Sequence, residues 1–342
     1  MYRNHSIAVV VPAYNEAGFV GRVVETVPRW VDRIYVVDDA STDGTWAEIR
    51  ACVSTDWAGT RRTETKDGDT VLASSSAVAD GGTIGDSRIV AIRHAENRGV
   101  GAAITSGYRH AVADEVDVTA VMAGDGQMDP AELDRLLDPI VEGEADYAKG
   151  NRLANPAYTD GMSRFRLLGN HTLAILTKIA TGYWTLHDPQ NGYTAISHEA
   201  LEAVDLDSRY EGYGFANDLL VALNTQELCV ADVAMPAVYG EERSHITYRT
   251  FVPGLSWLLL RGFSRRLAVR YVRRDFHPVA PLYLLGSVGS LAGVAGVAGS
   301  IRKRETDTRL TAIVCCLVSW MALLAAMLVD RYENCELVVR RE

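Results

Sequence analysis

Residues 7–18, IAVVVPAYNEAG, and residues 33–45, RIYVVDDASTDGT, decide how the chain is read. The first stretch runs through five apolar residues and then breaks at Pro12 and Gly18. A short apolar run bounded by turn residues reads as a buried strand, and residues 19–27 continue as a helix. The second stretch is another apolar strand, ending in carboxylates. Strand, helix, strand is the start of a parallel α/β sheet, whose ligands bind beyond the carboxyl ends of the strands. Glu16, Asp38 and Asp39 are therefore candidates for one crevice. Residues 38–44 also have the composition of a plain turn and N-cap before a helix at 45–52.

Working outward, residues 57–87 are rich in Gly, Ser, Thr, Asp and Ala without a sustained apolar period, and are expected to form a mobile surface insertion. Residues 89–92 resume the sheet, and NRGVGAAITSGYRHAV (97–112) is a glycine-rich turn into a helix. Such a turn can receive phosphate, although packing alone also explains a single GxG. Residues 118–122 form the strand that leads into VMAGDGQMDP (121–130). Gly124 and Gly126 leave room for a ligand to approach the backbone. In extended chain Asp125 and Gln127 face one side and offer oxygens to one hard cation, Mg²⁺ or Mn²⁺ carrying a diphosphate. A turn whose Asp caps a helix at 130–137 is the plainer alternative. A further strand is expected at 147–151 and a helix at 163–181. Arg164 and Arg166 in its first turns oppose the helix dipole and suggest a bound anion. Helices at 198–204 and 216–225 and a strand at 229–234 complete the domain.

Residues 279–301 and 310–329 contain no charged residue, and roughly 20 apolar residues cross the hydrocarbon core. The eight-residue linker 302–309 makes them a tight hairpin, with Gly289 and Gly293 as a GxxxG contact. Before it, residues 257–274 wind into an amphipathic helix with Trp257, Leu260, Phe263, Leu267 and Tyr271 on one face. Arg261, Arg265, Arg266, Arg270 and Arg273 lie mostly on the other, suited to anionic headgroups. The predicted organisation is thus a catalytic domain at 1–250, a juxtamembrane helix at 251–278, two spans at 279–301 and 310–329, and a tail at 330–342. Nine arginines flank the domain side of the spans against four basic residues in the linker. That asymmetry predicts a multi-pass protein of the cell membrane with both termini and the catalytic domain cytoplasmic.

The net charge of −10 argues against nucleic acid as a partner. Only four of the 34 basic residues are lysines, set against 44 acids, a balance that resembles that of proteins from salt-accumulating halophiles. Five cysteines without a CxxC pair point to a reducing compartment and away from zinc. Residues 1–6 are polar and the apolar run at 7–11 is too short for a secretory signal, so none is expected.

VVVPAYNE, VVDDASTDGT, NRGVGAAITSGY and AGDGQMDP, in this order, resemble family-2 inverting glycosyltransferases of the GT-A fold. KGNR, RLLGN and DPQNGY extend the likeness towards the branch making polyprenyl-phosphate sugars, the dolichol-phosphate mannosyltransferase type, over residues 7–248. The resemblance implies a Rossmann-like, mostly parallel sheet flanked by helices, a UDP- or GDP-linked sugar donor, a polyprenyl or dolichyl phosphate acceptor, and a bilayer as the working surface. It implies that Pro12, Tyr14, Glu16, Asp39, Asn97, Gly124 and His245 hold the donor nucleotide sugar. Asp125 and Gln127 would bind Mg²⁺ or Mn²⁺, and Arg152, Arg166 and Asn170 the acceptor phosphate. Asp188 and Asp218 would orient the sugar or the arginines. The sequence departs from the pattern at Ala123, where the family's DxD has its first Asp, and at Asn170, commonly serine. It departs again at Ser244-His245, commonly Ser-Lys, and at Gly192-Tyr193-Thr194, commonly Gly-Phe-Arg. Those departures leave open a catalytically inactive membrane scaffold, or a different lipid or glycan acceptor. A processive polysaccharide synthase is excluded by the missing QxxRW. A Rossmann dehydrogenase is excluded because the GxG does not follow the first strand. Self-association as a homo-oligomer stays open.

Overall fold

The computed structural model describes residues 1–55, 60–65, 68–74, 88–154, 164–236, 248–303 and 306–341. Its strands are β1 (Ile7–Ala13), β2 (Arg33–Asp38), β3 (Thr60–Glu64), β4 (Thr70–Ser74), β5 (Ile89–Arg93), β6 (Val118–Val121), β7 (Tyr147–Asn151), β8 (Thr194–Ser197), β9 (Val230–Ala234) and β10 (Val338–Arg341). They join in one sheet in the order β10-β9-β7-β8-β6-β1-β2-β5-β4-β3. β1 pairs parallel with β2 and β6, β2 with β5, and β9 with β7 and β10; β8 runs antiparallel between β6 and β7. The helices are α1 (Val20–Thr26), α2 (Thr45–Thr55), α3 (Val100–Ala113), α4 (Leu133–Val141), α5 (Arg164–Thr181), α6 (His198–Ala203), α7 (Phe215–Thr225), α8 (Tyr248–Ala268), α9 (Val279–Lys303) and α10 (Thr306–Glu333).

The unbroken apolar run of β1 follows from burial on both faces. Val9 and Val11 pack with Val20, Ile49, Leu133 and Leu137 on one side. Val10 and Tyr35 pack with Tyr108, Leu219 and Leu223 on the other. Register then builds a rim. Val10 lies opposite Val121, Val121 opposite Thr194, Thr194 opposite Lys149, and Lys149 opposite Asp232. The C-terminal ends of β1, β6, β7 and β9 and the start of β8 therefore finish on one edge, where β2 joins through Ala13 opposite Asp38.

Three expectations are corrected. Residues 60–64 and 70–74, inside the expected insertion, form a β-hairpin that pairs antiparallel with β5 and buries Val71, Leu72 and Ala73; the rest of 57–87 up to Arg88 lies mostly outside the described residues. The apolar run in β4 is only three residues, too short to announce a strand. The expected tail is not free, because Val338–Arg341 adds β10 to the sheet beside β9, and Arg341 reaches Glu144 at 2.8 Å. The helix expected at 130–137 begins as a 3₁₀ turn, Pro130–Glu132, capped by the Asp129 carboxylate on the Ala131 N–H at 2.9 Å, and continues as α4.

At the C-terminal end α9 and α10 are long and apolar enough to cross a bilayer. They touch closely: a Cβ on Gly289 or Gly293 would overlap the Ser319 or Cys316 side chain on α10. Helix α8 starts earlier than expected and passes into a π-helical turn, Val269–Arg274. Its faces also differ from the expected division. Trp257 and Leu260 are exposed, while Phe263, Leu267 and Tyr271 pack on the hairpin. Arg266, expected on the polar face, is fully buried.

Candidate active site

Beyond β1, the loop 14–18 is stitched to the loop after β2. The Asn15 N–H donates to Ser41 Oγ at 3.0 Å, the Glu16 N–H to Thr45 Oγ1 at 2.8 Å, and the Gly18 N–H to Glu48 at 2.6 Å. Asn15 and Ala40 hold the left-handed conformations, φ 57° and 59°, that let both loops turn back on the rim. Pro12 is buried and its carbonyl accepts the Gly124 N–H at 3.0 Å, whereas Tyr14 is exposed. Asp39 is almost wholly buried. One of its oxygens accepts from the Arg98 N–H at 2.9 Å and meets His94 Nδ1 at 2.7 Å, while the other accepts from the Gly99 N–H at 2.7 Å. Burial works against this carboxylate, but the bonds from His94, Arg98 and Gly99 outweigh it and hold its pKa below the usual value. Asp39 thus fixes the turn 94–99, on which Asn97 is exposed. The glycine-rich start of α3 takes a backbone carbonyl: the Ala102 N–H donates to Glu211 at 3.1 Å, and a Cβ on Gly101 would overlap residues 210–211. Packing therefore accounts for its glycines.

Asp125 follows β6. Gly124 sits against Ala13, where a Cβ would come within 3.2 Å of the Ala13 Cβ, and this closeness draws the loop onto β1. The expected extended geometry is corrected. Asp125 Oδ1 accepts the Gln127 N–H at 3.0 Å across Gly126, whose φ is 75°, so a turn, not a pleat, relates the two side chains. Burial raises the Asp125 pKa above the usual carboxylate value, against the N–H groups of Gln127 and its own residue. A cation would relieve that cost. Among the described residues there is no cluster of three His, Cys, Asp or Glu that could hold a metal by itself. Asp125 therefore fits a cation ligated mostly by a diphosphate and water, as Mg²⁺ favours.

Across β8, Arg152 follows β7. Its Nε donates to Asp188 Oδ2 at 2.7 Å and its Nη2 to Oδ1 at 3.2 Å, and its backbone N–H also reaches Asp188. Asp188 itself lies in the loop after α5. Asp218 on α7 pairs with Arg209 at 3.1 Å and accepts the Tyr210 N–H at 3.1 Å, which ties it to the segment that covers the start of α3. Arg166 and Asn170 lie on α5, and His245 lies outside the described residues.

The model of the family described as "Glycosyl transferase family 2" matches residues 8–68 and 69–205. The chain belongs to glycosyl transferase family 2. The UDP-N-acetylglucosamine–dolichyl-phosphate N-acetylglucosaminyltransferase of Methanococcus voltae is 26% identical over 69% of this chain and 86% of its own. The undecaprenyl-phosphate mannosyltransferase of Micrococcus luteus is 28% identical over 69% and 84%. The polyprenol monophosphomannose synthase of Mycolicibacterium smegmatis is 31% identical over 62% and 69%. Glucosyl-3-phosphoglycerate synthase from Mycobacterium tuberculosis, solved with UDP and again with Mn²⁺, UDP-glucose and phosphoglyceric acid, superposes with a TM-score of 0.50 each time. Those matches cover 78% of this chain and 81% of theirs at 18% and 19% identity, and show the GT-A fold.

In this glycosyltransferase the sequence reading missed the support beneath Arg152. Lys149 is fully buried two strand positions before Asn151, and its Nζ donates to the Asn191 carbonyl. Asn151 donates to Asp232 Oδ2 at 2.9 Å, where His187 Nδ1 also sits at 3.0 Å. A lysine inside the otherwise apolar start of β7 was the available signal. Burial pushes the Lys149 pKa down to about 8, with Asp188 and Asp232 opposing and Arg152 assisting. The ammonium is present below that value and lost above it. The transferase is therefore expected to lose activity as pH rises through about 8, because the ammonium holding the Asp188 loop becomes neutral. A pH profile of kcat/KM checks this: Lys149→Met should lower the plateau and abolish that alkaline limb.

Proposed function

We propose that this glycosyltransferase moves a sugar from a UDP- or GDP-sugar to a polyprenyl or dolichyl phosphate at a membrane surface. The observation that carries the reading is the pairing, on one rim, of a half-buried carboxylate, Asp125, with a guanidinium held through Nε and Nη2 by the two oxygens of Asp188. The acceptor specificities in the relatives' names and the two apolar helices support it.

A phosphate acceptor is anionic at neutral pH, so its oxygen attacks the sugar C1 without a general base while the C1–oxygen bond to the nucleoside diphosphate breaks. The protein's work is to align two anions and to stabilise the charge on the leaving group. Arg152 offsets repulsion at the acceptor phosphate, and Arg166 and Asn170 on α5 join it. Asp125, with Gln127 beside it, would hold Mg²⁺ or Mn²⁺, which would supply positive charge for the leaving diphosphate. Pro12, Tyr14, Glu16 and Asn97 border the nucleoside, with Gly124 beneath the diphosphate. Asp39 shapes that border by fixing the 94–99 turn, and Asp218 fixes the segment over α3. His245, outside the described residues, is carried into this reading from the resemblance alone.

That β10 after α10 and the strands before α9 share one sheet supports a topology with both ends of the hairpin on one side of the bilayer. The basic excess beside the domain favours the cytoplasmic side. The test is to incubate membranes containing the chain with labelled UDP- and GDP-sugars, Mg²⁺ or Mn²⁺, and polyprenyl phosphates. An acid-labile glycolipid should form with one donor. Binding of a nucleotide sugar without transfer would instead favour the inactive scaffold that Ala123 allows.

A further inference from the structure

The buried joint between the catalytic domain and the hairpin is unused by the chemistry above. Arg266 of α8 and Asp330 of α10 have fully buried side chains joined by two bonds of 2.8 Å. The same guanidinium donates to the Ala180 and Ile179 carbonyls at 3.1 Å each, the last turn of α5. A cation there suits the helix dipole and satisfies carbonyls that the helix leaves open. Gly182, at φ 81°, makes the space: a Cβ would lie 2.7 Å from Arg266 Nη1. Asp330 is held in turn by the Tyr271 hydroxyl at 2.7 Å and the Trp184 indole N–H at 3.3 Å. Trp184 belongs to the loop that carries Asp188.

A buried ion pair is a poor source of stability, since similar packing without charge does as well. Its position is more informative. It ties three things together at one point: the membrane hairpin, the end of the helix bearing Arg166 and Asn170, and the loop that clamps Arg152. Resting on the acceptor reading above, we infer that Arg266 and Asp330 are positioning residues for the acceptor-phosphate site, setting α5 and the Asp188 loop at a fixed place relative to the bilayer.

The test compares wild type with Arg266→Met combined with Asp330→Asn, which removes both charges yet keeps an oxygen for Tyr271, and with Arg266→Lys, which keeps the charge but not the fork. Each is reconstituted in phospholipid vesicles with a polyprenyl phosphate and an active nucleotide sugar. Thermal unfolding, the KM for each substrate, and amide hydrogen exchange along α5 are measured. The expected result for the double variant is an unfolding temperature close to wild type, a donor KM within about twofold, an acceptor KM raised at least about tenfold, and faster exchange at the end of α5. Arg266→Lys should fall between. A folded double variant with unchanged acceptor KM, or donor and acceptor KM rising together, overturns the inference. If wild type transfers sugar to no prenyl phosphate, the functional reading fails by itself. The joint is then decided by exchange alone, with unchanged protection of α5 counting against it and faster exchange for it.

Discussion

Asp125→Ala is expected to lower kcat/KM by about 10³-fold while leaving the fold intact. The magnitude is that of removing one preorganised group aimed at developing charge, which costs ~10²–10³ in rate, with the loss of a cation placing it at the upper end. The stability side runs in the opposite direction. Burial raises the pKa of this carboxylate, so the folded chain binds its proton more tightly than the unfolded chain does. Keeping it ionised at neutral pH therefore costs stability, and that cost disappears as the pH falls below the folded pKa. Alanine removes the cost, so the unfolding temperature should hold or rise as activity falls, the pattern of a group kept for function. Metal dependence supplies a second check. In wild type, the cation concentration needed for half-maximal rate should climb on acidification, beginning above the pH where an ordinary aspartate protonates. Full activity of Asp125→Ala in metal-free buffer, or a drop in unfolding temperature matching the activity loss, would refute the assignment.

Elements buried on both faces were the legible part of the fold. β1, β2, β5, β6, β7 and β9 were located to within two residues because a central parallel strand leaves an uninterrupted apolar run between turn residues. What escaped were strands whose evidence is not local. β4 has three apolar residues, and β10 reads VVRR, a sequence that becomes a strand only because β9, more than a hundred residues earlier, offers an edge. At the site, Asp125 announced itself by charge at a strand end, Arg152 and Asp188 entered through the resemblance, and the residues beneath them, Lys149 and Asp232, were not visible. Lys149 and Asp232 are neighbours only through the register of β7 with β9. Arg266 was assigned to a polar face because a helical wheel counts arginine as polar, whatever it meets. A lone carboxylate, Asp330, immediately beyond the uncharged stretch 310–329 was the clue that a buried cation waited for it.

The second large effect is expected at Arg152. Its fork is held in plane by Asp188 through Nε and Nη2, and the backbone N–H of the same residue reaches the same carboxylate. The side chain keeps 30% exposure at the rim while Asp188 keeps only 5%, so the arginine faces solvent and the aspartate serves it from within. Truncating one partner of such a hydrogen-bonded charge contact costs about 2–4 kcal/mol, roughly 30- to 10³-fold in kcat/KM. Arg152→Ala should show this loss mainly as a raised acceptor KM, with the donor KM moving little. Arg152→Lys should recover only a small part, because a point charge cannot take Asp188 at two oxygens. Asp188→Asn keeps the shape but weakens the grip, and about a tenfold loss is expected. The double variant separates the two roles: if Asp188 acts only through Arg152, adding Asp188→Asn to Arg152→Ala should cost almost nothing further. Additive losses would mean that Asp188 touches a substrate itself, and an unchanged acceptor KM in Arg152→Ala would remove the guanidinium from the acceptor site.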